Sequence, residues 1–94
     1  MTYKLEFLKE ALKEWKALDA SIQKQFKKKL AERLIHPDVD AARLSGSRSR
    51  YKIKLRNAGY RLVYEIEEKE ITVLVVAVGK RERNAVYKTA AKRA

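Results

Sequence analysis

The chain has 94 residues, of which 46% are hydrophobic, enough for one domain with a modest core. Lys and Arg number 23 against 12 Asp and Glu; the resulting +11 far exceeds the magnitude of about 2–8 usual for a small soluble domain. There is no cysteine for disulfides or thiolate ligands, no apolar run near the ~20 residues that span a bilayer, and no signal-peptide core between Met1 and Glu10.

Tyr3, Leu5 and Phe7 alternate with Lys4 and Glu6, which predicts a short first strand. At Leu8 the period changes. Leu8, Ala11, Leu12, Trp15 and Leu18 fall on one helical stripe, with Trp15 as a core anchor rather than a stacking platform. Asp19 is a candidate cap for a second helix reaching about Ile35, in which Ile22, Phe26, Leu30 and Leu34 recur every fourth residue. Lys24, Lys27 and Lys28 point away from that stripe, while Lys29 and Arg33 lie close to it and snorkel. His36-Pro37-Asp38 ends the helix, and the short link between the two helices predicts an αα-hairpin.

Pro37 to Ser49 reads as a linker within the domain. Tyr51, Ile53 and Leu55 then alternate with Lys52, Lys54 and Arg56, Asn57-Ala58-Gly59 supplies a turn, and Tyr60 to Tyr64 returns as the second strand of a hairpin. After a polar turn, Glu65 to Glu70, the run Ile71 to Val78 is apolar on both faces, as a central strand is. Gly79 to Arg83 breaks it. Asn84 to Arg93 forms a last helix whose weak apolar face, Val86, Tyr87, Ala90 and Ala91, predicts loose docking. The order β-α-α-β-β-β-α predicts one α+β domain over residues 1–94, with a largely antiparallel sheet and its helices on one face.

No Gly-rich phosphate loop or paired-His motif is present, and the scattered acidic residues offer no metal site. The lone His36 reads as a dipole partner at a helix end. The informative feature is the solvated face of the hairpin, which carries cations only. Lys52, Lys54 and Arg56 repel one another there, Arg61 lies just past the turn, and Arg81 and Tyr87 follow the central strand. Such a patch grips a phosphodiester; nucleic acid is the first partner class, and an acidic protein or anionic membrane the second. Cleavage needs a base as well. A lysine of ordinary pKa is neutral in only about 0.04% of molecules at pH 7, but neighbouring cations lower that pKa. A phosphate-binding strip without catalysis needs fewer assumptions, and both readings stand at this level.

At these residues the sequence resembles the RelE toxins of bacterial toxin–antitoxin pairs. The likeness rests on Ala11-Leu12-Lys13-Glu14-Trp15, Lys27-Lys28-Lys29-Leu30, Tyr51 to Arg56, Gly59 to Tyr64, Val78 to Arg83 and Val86-Tyr87, in order and at matching spacing. It implies a microbial-RNase-like fold and a metal-independent, cofactor-free endoribonuclease of the cytoplasm that cuts messenger RNA in the ribosomal A site. The message's own 2′-OH is the attacking group. By position the resemblance makes Lys52 and Lys54 the base and phosphate ligand, Arg61 the transition-state stabiliser, Arg81 the residue at the leaving group, and Tyr87 the stacking and orienting residue. Lys24, Lys27, Lys28 and Arg33 become contacts to 16S ribosomal RNA, and Arg56 extends the RNA-binding strip. An acidic RelB-like antitoxin becomes the protein partner, displacing the last helix, and no membrane is involved. Two departures stand out: Ser45 replaces a basic residue of the pattern, and Lys92-Arg93-Ala94 has no large apolar residue to hold the last helix. A non-catalytic ribosome-binding module and an inactive toxin relative are the alternatives.

Overall fold

The hydrophobic run Thr72 to Val78 has to be covered on two sides, and the chain supplies both covers. The computed structural model describes residues 2–44, 49–82 and 84–93. Its elements are β1 (Lys4–Phe7), α1 (Lys9–Lys16), α2 (Ala20–Ile35), a 3-10 turn (Asp40–Ala42), β2 (Arg50–Leu55), β3 (Tyr60–Glu67), β4 (Thr72–Lys80) and α3 (Ala85–Lys92). The sheet order is β1-β4-β3-β2; β1 runs parallel to β4, and the other pairings are antiparallel. The predicted hairpin turn forms where expected: Gly59 takes φ +73° and its N–H donates to Leu55 O at 2.8 Å. β3 runs three residues further than predicted, because Glu65, Ile66 and Glu67 pair with Leu74, Val73 and Thr72 and Ile66 enters the core.

Two helix details differ from expectation. Asp19 occupies the N-cap of α2, yet its side chain makes no capping hydrogen bond; its carbonyl accepts from Ile22 and Gln23 instead. Leu12 on the α1 stripe remains exposed, whereas Ala11 and Trp15 are buried. Trp15 is a core residue, its ring 5.4 Å from that of Phe7 and 6.1 Å from that of Phe26.

The sheet is packed on both faces, which corrects the expectation of helices on one side only. Trp15, Ile22, Phe26 and Leu30 meet Tyr51, Ile53, Leu62, Tyr64, Val73 and Val75 in the larger core. On the opposite face Val86 and Ala90 of α3 meet Val63, Val76 and Ala77. Successive residues Val76 and Ala77 share that face because β4 bulges: Val63 pairs with Ala77 and Tyr64 with Val75, leaving Val76 as the extra residue. Gly79, expected to break the strand, lies within β4; a Cβ there would sit 3.3 Å from Val86 Cγ2, so its absence lets α3 approach.

Helix α3 is held by more than its small apolar face. Beyond Phe7, β1 no longer covers the edge of β4, and the exposed backbone groups find side chains instead. Arg93 donates to Val76 O at 2.8 Å, Glu14 accepts from Val78 N–H at 3.2 Å, and the two side chains pair at 2.9 Å. The Glu14 carboxylate raises the pKa of Arg93 further. From β2, Arg50 pairs with Glu65 at 2.9 Å and caps the end of α3 by donating to the carbonyls of Ala90 and Arg93. Loose docking is therefore not what the packing shows. Glu14→Ala leaves the Val78 N–H without its acceptor and the Arg93 guanidinium without its carboxylate. We expect a loss of about 1–3 kcal/mol, read as a lower urea midpoint with amide exchange accelerating first in α3.

Candidate active site

Apolar alternation in β2 buries Tyr51, Ile53 and Leu55 beneath α2, which turns Lys52 and Lys54 toward the face that carries α3. Lys54 stands opposite Arg61 of β3, and Arg61 stands opposite Gly79 of β4. Lys52 stands opposite Val63, a residue of the core under α3. Directly opposed like charges are unfavourable, and the effect reaches Lys54, whose pKa is lowered from 10.5, first by Lys52, then by partial burial, Arg61 and Arg56.

Arg61 is the more unusual member. Only 7% of it is exposed, its Nη1 donates to Tyr60 O at 2.9 Å, and it forms no ion pair with any described residue. A buried cation without a carboxylate costs stability, so its retention points to an anionic ligand. Arg81 follows β4 with its side chain exposed; its N–H donates to Gly59 O at 2.7 Å, which ties it to the hairpin tip beyond Lys54 and Arg61. Tyr87, on α3, is half-buried and packs against the cluster of Val63, Val76, Ala77, Val86 and Ala90. Its hydroxyl is covered and has no hydrogen-bond partner among the described residues.

The remaining predicted positions divide. Lys24, Lys27 and Lys28 are exposed on α2, in the layer opposite α3, across the sheet from Arg61. Arg56 is exposed just past β2. Arg33 is not on the exposed helix surface with the lysines. Its Nη1 donates to Tyr64 Oη at 2.9 Å and to Lys52 O at 3.2 Å, its cation lies 5.8 Å from the Tyr64 ring centroid, and Tyr64 Oη donates to Pro37 O at 2.6 Å. Burial raises the Tyr64 pKa, an effect that the Arg33 bond opposes. Arg33 thus staples α2 to the edge strand behind Lys52, which fits its reading as a snorkelling residue. Ser45 and Arg83 lie outside the described residues. Sequence reasoning missed the roles of Arg50, Arg93 and Glu14; each binds a partner at least 15 positions away, and no local spacing signals that. No group of His, Cys, Asp or Glu able to hold a metal ion occurs among the described residues.

Comparison with known proteins gives a consistent answer. The profile of the ParE toxin of the type II toxin–antitoxin system parDE matches residues 5–85. The mRNA interferase toxin RelE of Escherichia coli K12 is 50% identical over 93 residues, 99% of this chain and 98% of that protein. The mRNA interferase RelE of Shigella flexneri is equally similar. Among solved structures, a mutant of the E. coli toxin RelE in the free state superposes with a TM-score of 0.90 at 47% identity, covering 98% of this chain and 97% of that one. RelE in the intact E. coli RelBE toxin–antitoxin complex gives 0.82 at 48% identity, covering 86% and 99%. Profile and fold together define the toxin half of a type II toxin–antitoxin pair. The chain belongs to the RelE/ParE family of those toxins.

Arg61→Met tests whether the buried cation is kept for a ligand. Removing an unpaired charge from beside Lys54 should raise the unfolding free energy by about 1 kcal/mol or leave it unchanged, while phosphate-backbone binding weakens. A large stability loss in urea would mark Arg61 as structural.

Proposed function

We propose that this chain is an mRNA-cleaving toxin, a metal-independent endoribonuclease that arrests translation by cutting the message in the ribosomal A site. The observation that carries the reading is the pair formed by buried Arg61 and cation-crowded Lys54, two positive groups in register without a carboxylate. The names of the relatives at 50% identity support the same activity. An acidic RelB-like antitoxin is the protein partner we infer, since RelE is solved in complex with RelB and with an antitoxin peptide. No helix among the described residues is long and apolar enough to cross a membrane, and we place the activity in the cytoplasm, where translated messages are.

In this mechanism the message supplies its own nucleophile. Lys54, or the Lys52–Lys54 set acting together, takes the proton from the 2′-OH; coupled groups of this kind lose protons as a set. Arg61 and Arg81 stabilise the charge building on the phosphoryl oxygens, and Arg81 also serves the departing 5′-oxygen. Tyr87 orients the base next to the scissile bond. The 2′-oxygen bonds to phosphorus as the P–O5′ bond breaks, and the 5′-oxygen takes a proton from Arg81 or from the lysine that accepted the 2′-OH proton, leaving a cyclic phosphate and a 5′-hydroxyl. Each unit by which the Lys54 pKa falls raises its neutral fraction about tenfold, yet a lysine remains a weak base at pH 7. The ribosome provides what the side chains lack, since holding the strand in an attack geometry is worth several kcal/mol.

Mapping of message 5′-ends should show cutting on programmed ribosomes and little on naked RNA; equal cutting of both removes the ribosome from the mechanism. Arg81→Ala should lower the cleavage rate far more than ribosome affinity, whereas parallel losses indicate a binding module without chemistry. The pH dependence tests the base. The neutral amine is the active form, so the rate rises with pH toward the lowered pKa of Lys54. Lys52→Gln removes the main cause of the lowering, and the rising limb should move to higher pH with less activity at pH 7. A limb that stays in place excludes Lys54 as the titrating base.

A further inference from the structure

Two adjoining hollows run along the outer edge of β2, on the side of α2. One, of about 330 Å³, is lined in part by Lys29, Arg33, Lys52, Lys54 and Arg56. The next, of about 400 Å³, shares Lys29, Lys54 and Arg56 and adds Gln25 and Asn57. The shared residues make them one trough. No carboxylate among the described residues lines it; Asp38 and Asp40 flank its Val39 end, and Asp40 is held by Arg43 at 3.0 Å. Among the described residues Lys29, Lys52, Lys54 and Arg56 form no ion pair. Arg33 fixes one wall through its bonds to Lys52 O and Tyr64 Oη, so the trough is ordered without engaging the other four cations. Surface lysines ordinarily spread apart or alternate with acids, and clustering of this kind raises self-repulsion.

β2 is an edge strand, so this trough and the face bearing Lys54 and Arg61 are separated only by the width of one strand. A polyanion crossing that edge meets both. We propose that the α2–β2 trough is a second phosphate subsite, in which Lys29 and Arg56 hold a flanking phosphate of the RNA strand whose scissile phosphate lies over Lys54 and Arg61. This rests on the endoribonuclease reading and deepens it. Lys29, read from the sequence only as a snorkelling side chain, becomes an RNA-positioning residue. Gln25 and Asn57 add neutral donors at the far end.

The test is the salt dependence of binding to RNA made uncleavable by a 2′-deoxy group at the scissile position. A dinucleotide covers only the catalytic face; a longer strand of the same sequence also reaches the trough. Lys29 is exposed, so Lys29→Gln leaves the core intact. For the longer strand that variant should flatten the slope of log K against log salt by about 0.7, the value for one lost single-strand phosphate contact. Dinucleotide binding should be unchanged, and Lys29→Arg should restore the slope. An unchanged slope with the longer strand, equal loss with the dinucleotide, or no measurable binding of the longer strand at low salt overturns the proposal. A defect seen only with empty ribosomes overturns it too, assigning the trough to ribosomal RNA. Cleavage of ribosome-bound message by the unmodified protein is scored in parallel. Its absence with the slope effect present refutes the enzyme while sparing the subsite; its presence with a slope that Lys29→Gln leaves unchanged refutes the subsite alone.

Discussion

Because Val73, Val75, Val76 and Ala77 are all buried, β4 needs a hydrogen-bonding neighbour on each side and packed protein on each face. β3 and β1 meet the first need, one antiparallel and one parallel; α1 with α2, and α3, meet the second. The bulge at Val76 lets both consecutive residues Val76 and Ala77 face α3 while Val75 and Val78 face the larger core. A bulge also disturbs the ladder, and where β1 has ended the loose backbone groups fall to Arg93 and Glu14.

Apolar residues claim the middle of the sheet, so the cations gather where packing makes no demand: the edge strand β2, the hairpin tip and the outer surface of α2. This explains how a chain of +11 folds at all. Most of its lysines keep their heads in water, where repulsion is screened. Arg61 is the exception, buried beside Lys54 on the strand next to the central one. Local rules of packing are broken at that position, and broken rules of this sort collect at sites selected for binding or catalysis. Tyr87 is a second such place, since a covered hydroxyl without a partner costs about 1–3 kcal/mol.

Helix α3 shows how short polar links replace a hydrophobic anchor. Val86 and Ala90 bury little area, and Gly79 lets them come close enough to use it. The end of the helix is then held by Arg50 from one edge of the sheet and by Arg93 reaching the other. Both links are charged and largely buried, with 14% of the Arg50 side chain and 16% of the Arg93 side chain exposed, so they hold more firmly than surface ion pairs do.

Secondary structure and the cationic hairpin were legible in the sequence because periodicity and turn chemistry act over a few residues: Tyr51 to Leu55, Gly59 and the α2 stripe all formed as read. The resemblance to RelE toxins was legible for the same reason, as an ordered set of short motifs. Tertiary structure decided the rest. Whether β1 pairs with β4, whether α3 takes the opposite face, and which arginine turns inward depend on contacts between residues far apart in the chain. Arg33 and Lys29 are four positions apart on α2 and look alike in sequence; only the nearness of Tyr64 and Lys52 draws Arg33 into the fold and leaves Lys29 facing the trough. A side chain's charge is set by its identity, but its partner is set by which strand lies opposite, and that is fixed only when the whole sheet has assembled.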